Sequence, residues 1–115
     1  MKLRVLVVDD SSLMRRVVSD AVNAQDDMVV VGEAVDGDTA VSEAIRLKPD
    51  VITLDIAMPK RSGLWALGQI MSKCPTAVLM VSALTTQGAK ATLEALELGA
   101  YDFVTKPTSI GVGAH

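Results

Sequence analysis

The chain has 115 residues, which fits a single domain, and 50% of them are hydrophobic, enough for one buried core. Its formal net charge of −3, with acidic and basic residues interleaved, argues against a nucleic-acid-binding surface in this segment. The single cysteine, Cys74, excludes an internal disulfide and suits a reducing compartment. Because no apolar run is long enough for a signal peptide or a membrane span, we expect a soluble cytoplasmic domain with no membrane partner.

Short apolar segments alternate with longer amphipathic ones along the whole chain. Short, largely apolar runs predict strands at 3–8, 28–34, 51–54, 77–81 and 101–104, the first of them rich in β-branched residues. Apolar residues at helical spacing predict four helices: one capped by Ser11 or Ser12, one over 39–47, one from Ser62 to about 73, and one opened by 85–88 and closed by Gly99. This alternation predicts an α/β fold, a doubly wound parallel sheet covered by helices on both faces.

Chemically active residues stand at the carboxyl ends of the predicted strands, where such sheets bind ligands. Asp9 and Asp10 follow the first strand, Asp55 follows the third in the run TLDIA, Ser82 ends the fourth, and Lys106 follows the fifth. Three carboxylates at one edge repel one another and are costly to desolvate. We therefore expect a compensating lysine or a cation such as Mg²⁺, which prefers oxygen ligands.

This set of residues permits phosphoryl transfer to a carboxylate, with Asp55 as the nucleophile. Asp10 and Asp55 would hold the metal, with Asp9 helping through water, and Lys106 and Ser82 would donate to the phosphoryl oxygens. Each residue alone has a more ordinary interpretation, such as a helix cap, a turn former or a solvated charge. Five such coincidences at one sheet edge are less plausible than a site. Nucleotide binding is a weaker hypothesis, because the DDSS loop lacks phosphate-cradling glycines.

On four motifs in order, the chain resembles the receiver domains of two-component response regulators: VLVVDDSSLMRR, DVITLDIAMP, VSAL and DFVTKP. The resemblance implies a flavodoxin-like sheet in the order 2-1-3-4-5 and Mg²⁺-dependent phosphorylation of Asp55 by a histidine kinase. It also implies roles for the other residues of the site: metal binding by Asp9, Asp10, Asp55 and the carbonyl of Ala57, switching by Ser82 and Phe103, a catalytic lysine at Lys106, and a cis Lys106–Pro107 peptide bond.

A narrower resemblance, over LMVSALTTQGAKATLEALELGAYDFVTKP, is to the receiver half of chemotaxis protein-glutamate methylesterases. It implies an attached or separate output domain, which would carry the esterase, because this chain has no GxSxG motif and no internal histidine. A receiver that controls a DNA-binding output remains an alternative, as does a phosphorylation-dead interaction module. An Asp-nucleophile phosphatase is less favoured, because its usual second Asp is replaced by Ala57.

We expect the receiver domain to occupy residues 1–107 and a linker or truncated tail to begin at 108–115, TSIGVGAH. That segment has no amphipathic pattern, so the fifth helix of the family is expected to be missing. One flank of the first and fifth strands would then be uncovered, and this exposed apolar surface should promote dimerisation or lower the stability. The face formed by the fourth helix and the fifth strand is the expected dimer surface.

Overall fold

The structure is a computed structural model that describes residues 1–82 and 88–106 in full and the helical backbone at 86–87. Its five strands are β1 (Leu3–Val8), β2 (Met28–Ala34), β3 (Val51–Asp55), β4 (Ala77–Ser82) and β5 (Asp102–Thr105). Its four helices are α1 (Ser12–Asn23), α2 (Gly37–Leu47), α3 (Gly63–Lys73) and α4 (Thr86–Leu98). The strands pair in parallel in the order β2-β1-β3-β4-β5, which confirms the predicted α/β fold and strand order.

Apolar side chains alternate between the two faces of the central strands and build one core on each face. On β1, Val5 and Val7 pack with Val22 of α1, whereas Leu6 and Val8 belong to the larger core beneath α2, α3 and α4. Because successive side chains of a strand point to opposite faces, both faces of the sheet need helices, as predicted.

Three strands end one residue later than the sequence pattern predicted. β3 extends through Asp55 and β4 through Ser82, because Asp55 pairs with Val81 and Ser82 pairs with Thr105. β5 runs over Asp102–Thr105 rather than 101–104. The parallel ladder therefore continues through two polar residues, and their backbones are held by the sheet instead of by a loop.

Helix caps follow the predicted residues, with one exception. The Ser11 side chain accepts from Met14 N at the start of α1, and Ser62 caps α3. Helix α2 begins at Gly37 instead of Thr39, because Asp36 and Thr39 form a reciprocal capping box. Gly99 follows α4 with φ of +112°, as expected of a residue that ends a helix.

Several expectations fall outside the described part of the chain: the start of α4 at Thr85, the Lys106–Pro107 bond, the missing fifth helix and the tail at 108–115.

Within the described residues, an apolar groove of about 400 Å³ lies between α1 and strands β4 and β5, lined by Met14, Val18, Val81 and Val104 among others. None of the helices in this part of the chain has the length and apolar character to cross a membrane.

Gly63 allows α3 to start directly against the end of β3, and this contact positions the loop after Asp55. A Cβ atom at Gly63 would overlap the carbonyl oxygen of Asp55, whereas a Cβ at Gly68, within the same helix, would meet nothing within 4 Å. The first substitution forces the backbones apart, and the second only reduces the flexibility of the unfolded chain.

We therefore predict that Gly63→Ala lowers the free energy of unfolding by about 1–3 kcal/mol. The matched control, Gly68→Ala, should raise it by about 0.5–1 kcal/mol. Urea unfolding followed by circular dichroism measures both. Equal effects of the two substitutions would contradict the close helix–strand contact.

Candidate functional site

Three aspartates meet at the carboxyl edge of the sheet. One carboxylate oxygen from each of Asp9, Asp10 and Asp55 lies within 4.8 Å of the others. Asp9 directly follows β1 and Asp55 ends β3, and these strands are paired in parallel, so their carboxyl ends meet. Asp9 is only 2% exposed and Asp55 only 1%, whereas Asp10 is exposed. The sheet thus buries two carboxylates side by side at one edge.

Lys106 supplies the positive charge nearest to these carboxylates. Its Nζ lies 3.1 Å from Asp55 Oδ1 and 3.5 Å from Asp9 Oδ2. The backbone N–H of Lys106 donates to the carbonyl of Ser82 at 2.7 Å, which ties the residue to the end of β4. One ammonium group therefore bridges the residues that follow β1 and end β3.

A single lysine does not satisfy Asp55 completely. Asp55 Oδ2 is buried and accepts no hydrogen bond from the described part of the chain. Burial, and next the charge of Asp9, raise the pKa of Asp55 to about 6 although Lys106 acts in the opposite direction. Burial lowers the pKa of Lys106, but its hydrogen bond to Asp55 and the charges of Asp55 and Asp9 outweigh this and raise the pKa. The lysine therefore stays charged at neutral pH.

The ligand atoms at this edge of the sheet suit a hard divalent cation. All three side chains offer carboxylate oxygens, the ligands that Mg²⁺ prefers, and the unbonded Asp55 Oδ2 leaves one buried oxygen in need of a positive partner. Asp9, Asp10 and Asp55 are the residues that would hold such an ion.

The Ser82 hydroxyl is engaged with α4. It donates to the carbonyl of Gly88 at 3.2 Å, and the Thr92 hydroxyl donates to the same carbonyl at 2.8 Å. Both hydroxyl-bearing residues are buried. Sequence reasoning missed Thr92, although a Thr four residues after a helical carbonyl often bonds back to it. Ser82 therefore links the end of β4 to the first turns of α4.

Ala57 and Phe103, also predicted as site residues, lie near Asp55 and Lys106 in the sequence, but their side chains take no part in the ion pairs and hydrogen bonds described above. Ala57 is exposed in the loop that follows β3. Phe103 on β5 pairs with Met80 on β4, and Thr105 pairs with Ser82. Because residues two apart on a strand point to the same face, Phe103 and Ser82 lie on one face of the sheet. The Phe103 side chain is 42% exposed, so it is not an ordinary buried core aromatic.

Residues 5–112 match the family of the response regulator receiver domain. A protein-glutamate methylesterase/protein-glutamine glutaminase of Thermotoga maritima is 60% identical over 105 residues, which cover 91% of this chain and 30% of that protein. The chain thus spans less than a third of the length of this relative.

Two solved structures have the same fold. The response regulator domain of Thermotoga maritima CheB superposes with a TM-score of 0.89 at 58% identity, covering 94% of this chain and 81% of that one. A chain of the CheX–CheY–BeF3–Mg²⁺ complex of Borrelia burgdorferi gives a TM-score of 0.81 at 32% identity, covering 91% of this chain and 78% of that one.

The raised pKa of Asp55 predicts a pH-dependent loss of stability in metal-free protein. The pKa of Asp55 is about 6 in the folded state, against an ordinary value of 3.8, so the folded protein binds a proton at Asp55 more tightly than the unfolded chain does. This proton binding stabilises the fold fully below about pH 3.8, and the stabilisation is lost as the pH rises through about 6. In EDTA, Asp55→Asn should therefore exceed wild type in free energy of unfolding by about 1–3 kcal/mol at pH 7.5, and by much less near pH 4.

Urea titrations at the two pH values measure this difference. Asp26→Asn, at an exposed carboxylate, is the control and should change neither value appreciably. An Asp55→Asn variant no more stable than wild type at pH 7.5 would show that burying the charged Asp55 carboxylate does not destabilise the fold.

Proposed function

This chain belongs to the receiver domains of response regulators, the phosphoryl-accepting switches of two-component signalling, and from that premise we propose that Asp55 is the residue phosphorylated. The observation that carries the proposal is the state of its carboxylate. Asp55 is 1% exposed, Lys106 holds one of its oxygens, and the other is buried without a hydrogen bond from the described residues. A carboxylate so placed keeps one oxygen available for a ligand.

The phosphoryl donor we propose is the phosphohistidine of a histidine kinase. The phosphorus–nitrogen bond of the donor breaks as a phosphorus–oxygen bond to Asp55 forms, and the released imidazole keeps the electron pair and takes up a proton. Lys106 stays protonated throughout and offsets the charge that gathers on the phosphoryl oxygens. The product is an acyl phosphate at the end of β3.

We further propose that Mg²⁺ is the cofactor, held by Asp9, Asp10 and Asp55 with the backbone carbonyl of Ala57. A bound Mg²⁺ would supply the charge that lets an anionic phosphoryl group approach three carboxylates. The mutual proximity of these carboxylates supports this assignment. So does the similarity to a chain of the CheX–CheY complex that contains BeF3 and Mg²⁺.

Ser82 and Phe103 are the proposed switch residues. Phosphorylation adds close to two negative charges and strong acceptors, for which the Ser82 hydroxyl would leave the carbonyl of Gly88. Thr92 already donates to that carbonyl and would keep it satisfied. Phe103, on the same face of the sheet, would turn inward and change the surface formed by α4 and β5. Phosphorylation thus shifts the population between two packings.

The output we propose is a protein-glutamate methylesterase domain in the parent protein. The 60% identity to a relative of that name supports this, since the matched region is only 30% of the relative. A DNA-binding output is the other outcome, and phosphorylation by a chemotaxis histidine kinase would distinguish the two. We propose no direct contact of this segment with nucleic acid.

We predict that incubation with acetyl phosphate and Mg²⁺ adds one phosphoryl group, detected by intact-mass spectrometry. EDTA should abolish the adduct, because the carboxylates then repel the donor. Asp55→Asn should also abolish it, whereas Asp26→Asn, at an exposed position, should label like wild type. Full labelling of Asp55→Asn would refute the assignment, and many turnovers of a phosphate ester would favour a phosphatase.

We also propose that this chain forms a dimer with a second copy through α4 and β5. Leu93 on α4 is 64% exposed, Tyr101 just before β5 is 80% exposed and Phe103 on β5 is 42% exposed, so three large hydrophobic residues lie open to solvent on these parts of the chain. Light scattering should show a mass that rises toward that of a dimer with concentration, and Tyr101→Ser with Leu93→Ser should reverse it. A constant monomer mass at all concentrations would contradict the proposal.

A further inference from the structure

The two consecutive arginines of α1 have very different surroundings. Arg15 is 19% exposed, and its Nη1 donates to the backbone carbonyl of Asp9 at 2.9 Å while its Nε donates to Glu33 Oε1 at 3.1 Å. Arg16 is 81% exposed, and its only ion pair among the described residues is one of 3.8 Å with Asp20. One guanidinium therefore reaches the acidic site and the other lies in solvent.

We propose that Arg15 is a positioning residue of the acidic site: by holding the Asp9 carbonyl, it orients the Asp9 and Asp10 carboxylates for cation binding. This inference rests on the Mg²⁺ site proposed above, and it adds to that site a residue that contacts no ligand itself.

The geometry explains how a contact to a main-chain atom can orient two side chains. The peptide unit is planar, so fixing the carbonyl oxygen of Asp9 also fixes the nitrogen of Asp10. The other side of Asp9 is already held, because its N–H donates to the carbonyl of Ala34 at 3.1 Å. Its Oδ1 accepts from the N–H of Ser11 at 3.0 Å. With Arg15 in place, the Asp9–Asp10 peptide has little freedom to turn.

Electrostatics explains why the restraint is needed. Asp9, Asp10 and Asp55 repel one another, and Asp10 is the exposed member, so burial does not hold its carboxylate beside the other two. Lys106 restrains Asp9 through its side chain, but it has no ion pair with Asp10. Arg15 fixes the Asp9–Asp10 peptide through the Asp9 carbonyl, and this limits how far Asp10 can move away from the other two carboxylates.

Glu33 in turn holds the guanidinium of Arg15. It belongs to β2 and pairs in register with Val7 of β1, so Arg15 ties α1, β1 and β2 together at the end that carries Asp9. This contact requires two N–H donors at a fixed angle, which the arginine fork provides and a lysine does not. Lysine at position 15 should therefore not replace arginine.

Isothermal titration calorimetry with Mg²⁺ alone tests the proposal on wild type, Arg15→Ala, Arg15→Lys, Glu33→Gln and Arg16→Ala. We expect Arg15→Ala to weaken Mg²⁺ affinity on the order of tenfold, the usual cost of losing a group that orients a metal ligand. The Mg²⁺ affinity of Arg15→Lys should be little better than that of Arg15→Ala. Glu33→Gln should have an affinity between those of Arg15→Ala and wild type, and Arg16→Ala should bind Mg²⁺ like wild type.

A metal-free measurement separates positioning from general stability. Hydrogen exchange in EDTA should quicken in Arg15→Ala at the hydrogen-bonded amides of Asp9 and Ser11, with unchanged protection in the core of β3. Should Arg15→Ala fail to fold, Arg15→Lys and Glu33→Gln carry the same comparison. Wild-type affinity and exchange in all Arg15 and Glu33 variants would overturn the inference and leave the Mg²⁺ site standing. A wild type that binds no Mg²⁺ would instead overturn the proposed metal site, and the inference with it.

Discussion

The repulsion among three carboxylates at one edge of a parallel sheet governs the organisation of this domain. Parallel pairing of β1 with β3 brings Asp9 and Asp55 together, and burial prevents water from screening their charges. The ion contacts of Lys106 with Asp55 and Asp9 offset part of this cost. They also join the end of β5 to the ends of β1 and β3. The site therefore links strands that are not neighbours in the sheet.

Lys106 compensates the buried carboxylates only in part. Asp55 keeps one buried oxygen unbonded within the described chain, so the resting domain gains from a cation or from any group that brings donors with it. The same edge carries the hydrogen bond from Ser82 to Gly88 of α4. In the proposed switch, a chemical change at Asp55 would therefore reach α4 through one hydroxyl.

The meeting of Asp9, Asp10 and Asp55 could be predicted from the sequence, because apolar runs mark parallel strands and parallel strands share one carboxyl edge. The strand order followed only from the resemblance to receiver domains, since periodicity does not say which strands are neighbours. The start of α2 could also have been predicted, since Asp36 and Thr39 have the spacing of a capping box. The orientation of Arg15 could not. Two adjacent arginines on a helix look alike in sequence, and only the approach of Glu33 on β2 and of the chain after β1 decides which one is enclosed. The bond of Ser82 to Gly88 likewise depends on a side-chain rotamer that periodicity does not specify.

The most direct test of the account is to locate the phosphoryl group on the phosphorylated protein. Borohydride reduces an aspartyl phosphate to homoserine, which peptide mass spectrometry assigns to a single position. We expect homoserine at position 55 alone. Homoserine at position 9 or 10, or a phosphate that survives on a serine, would show that the buried carboxylate at the end of β3 is not the acceptor.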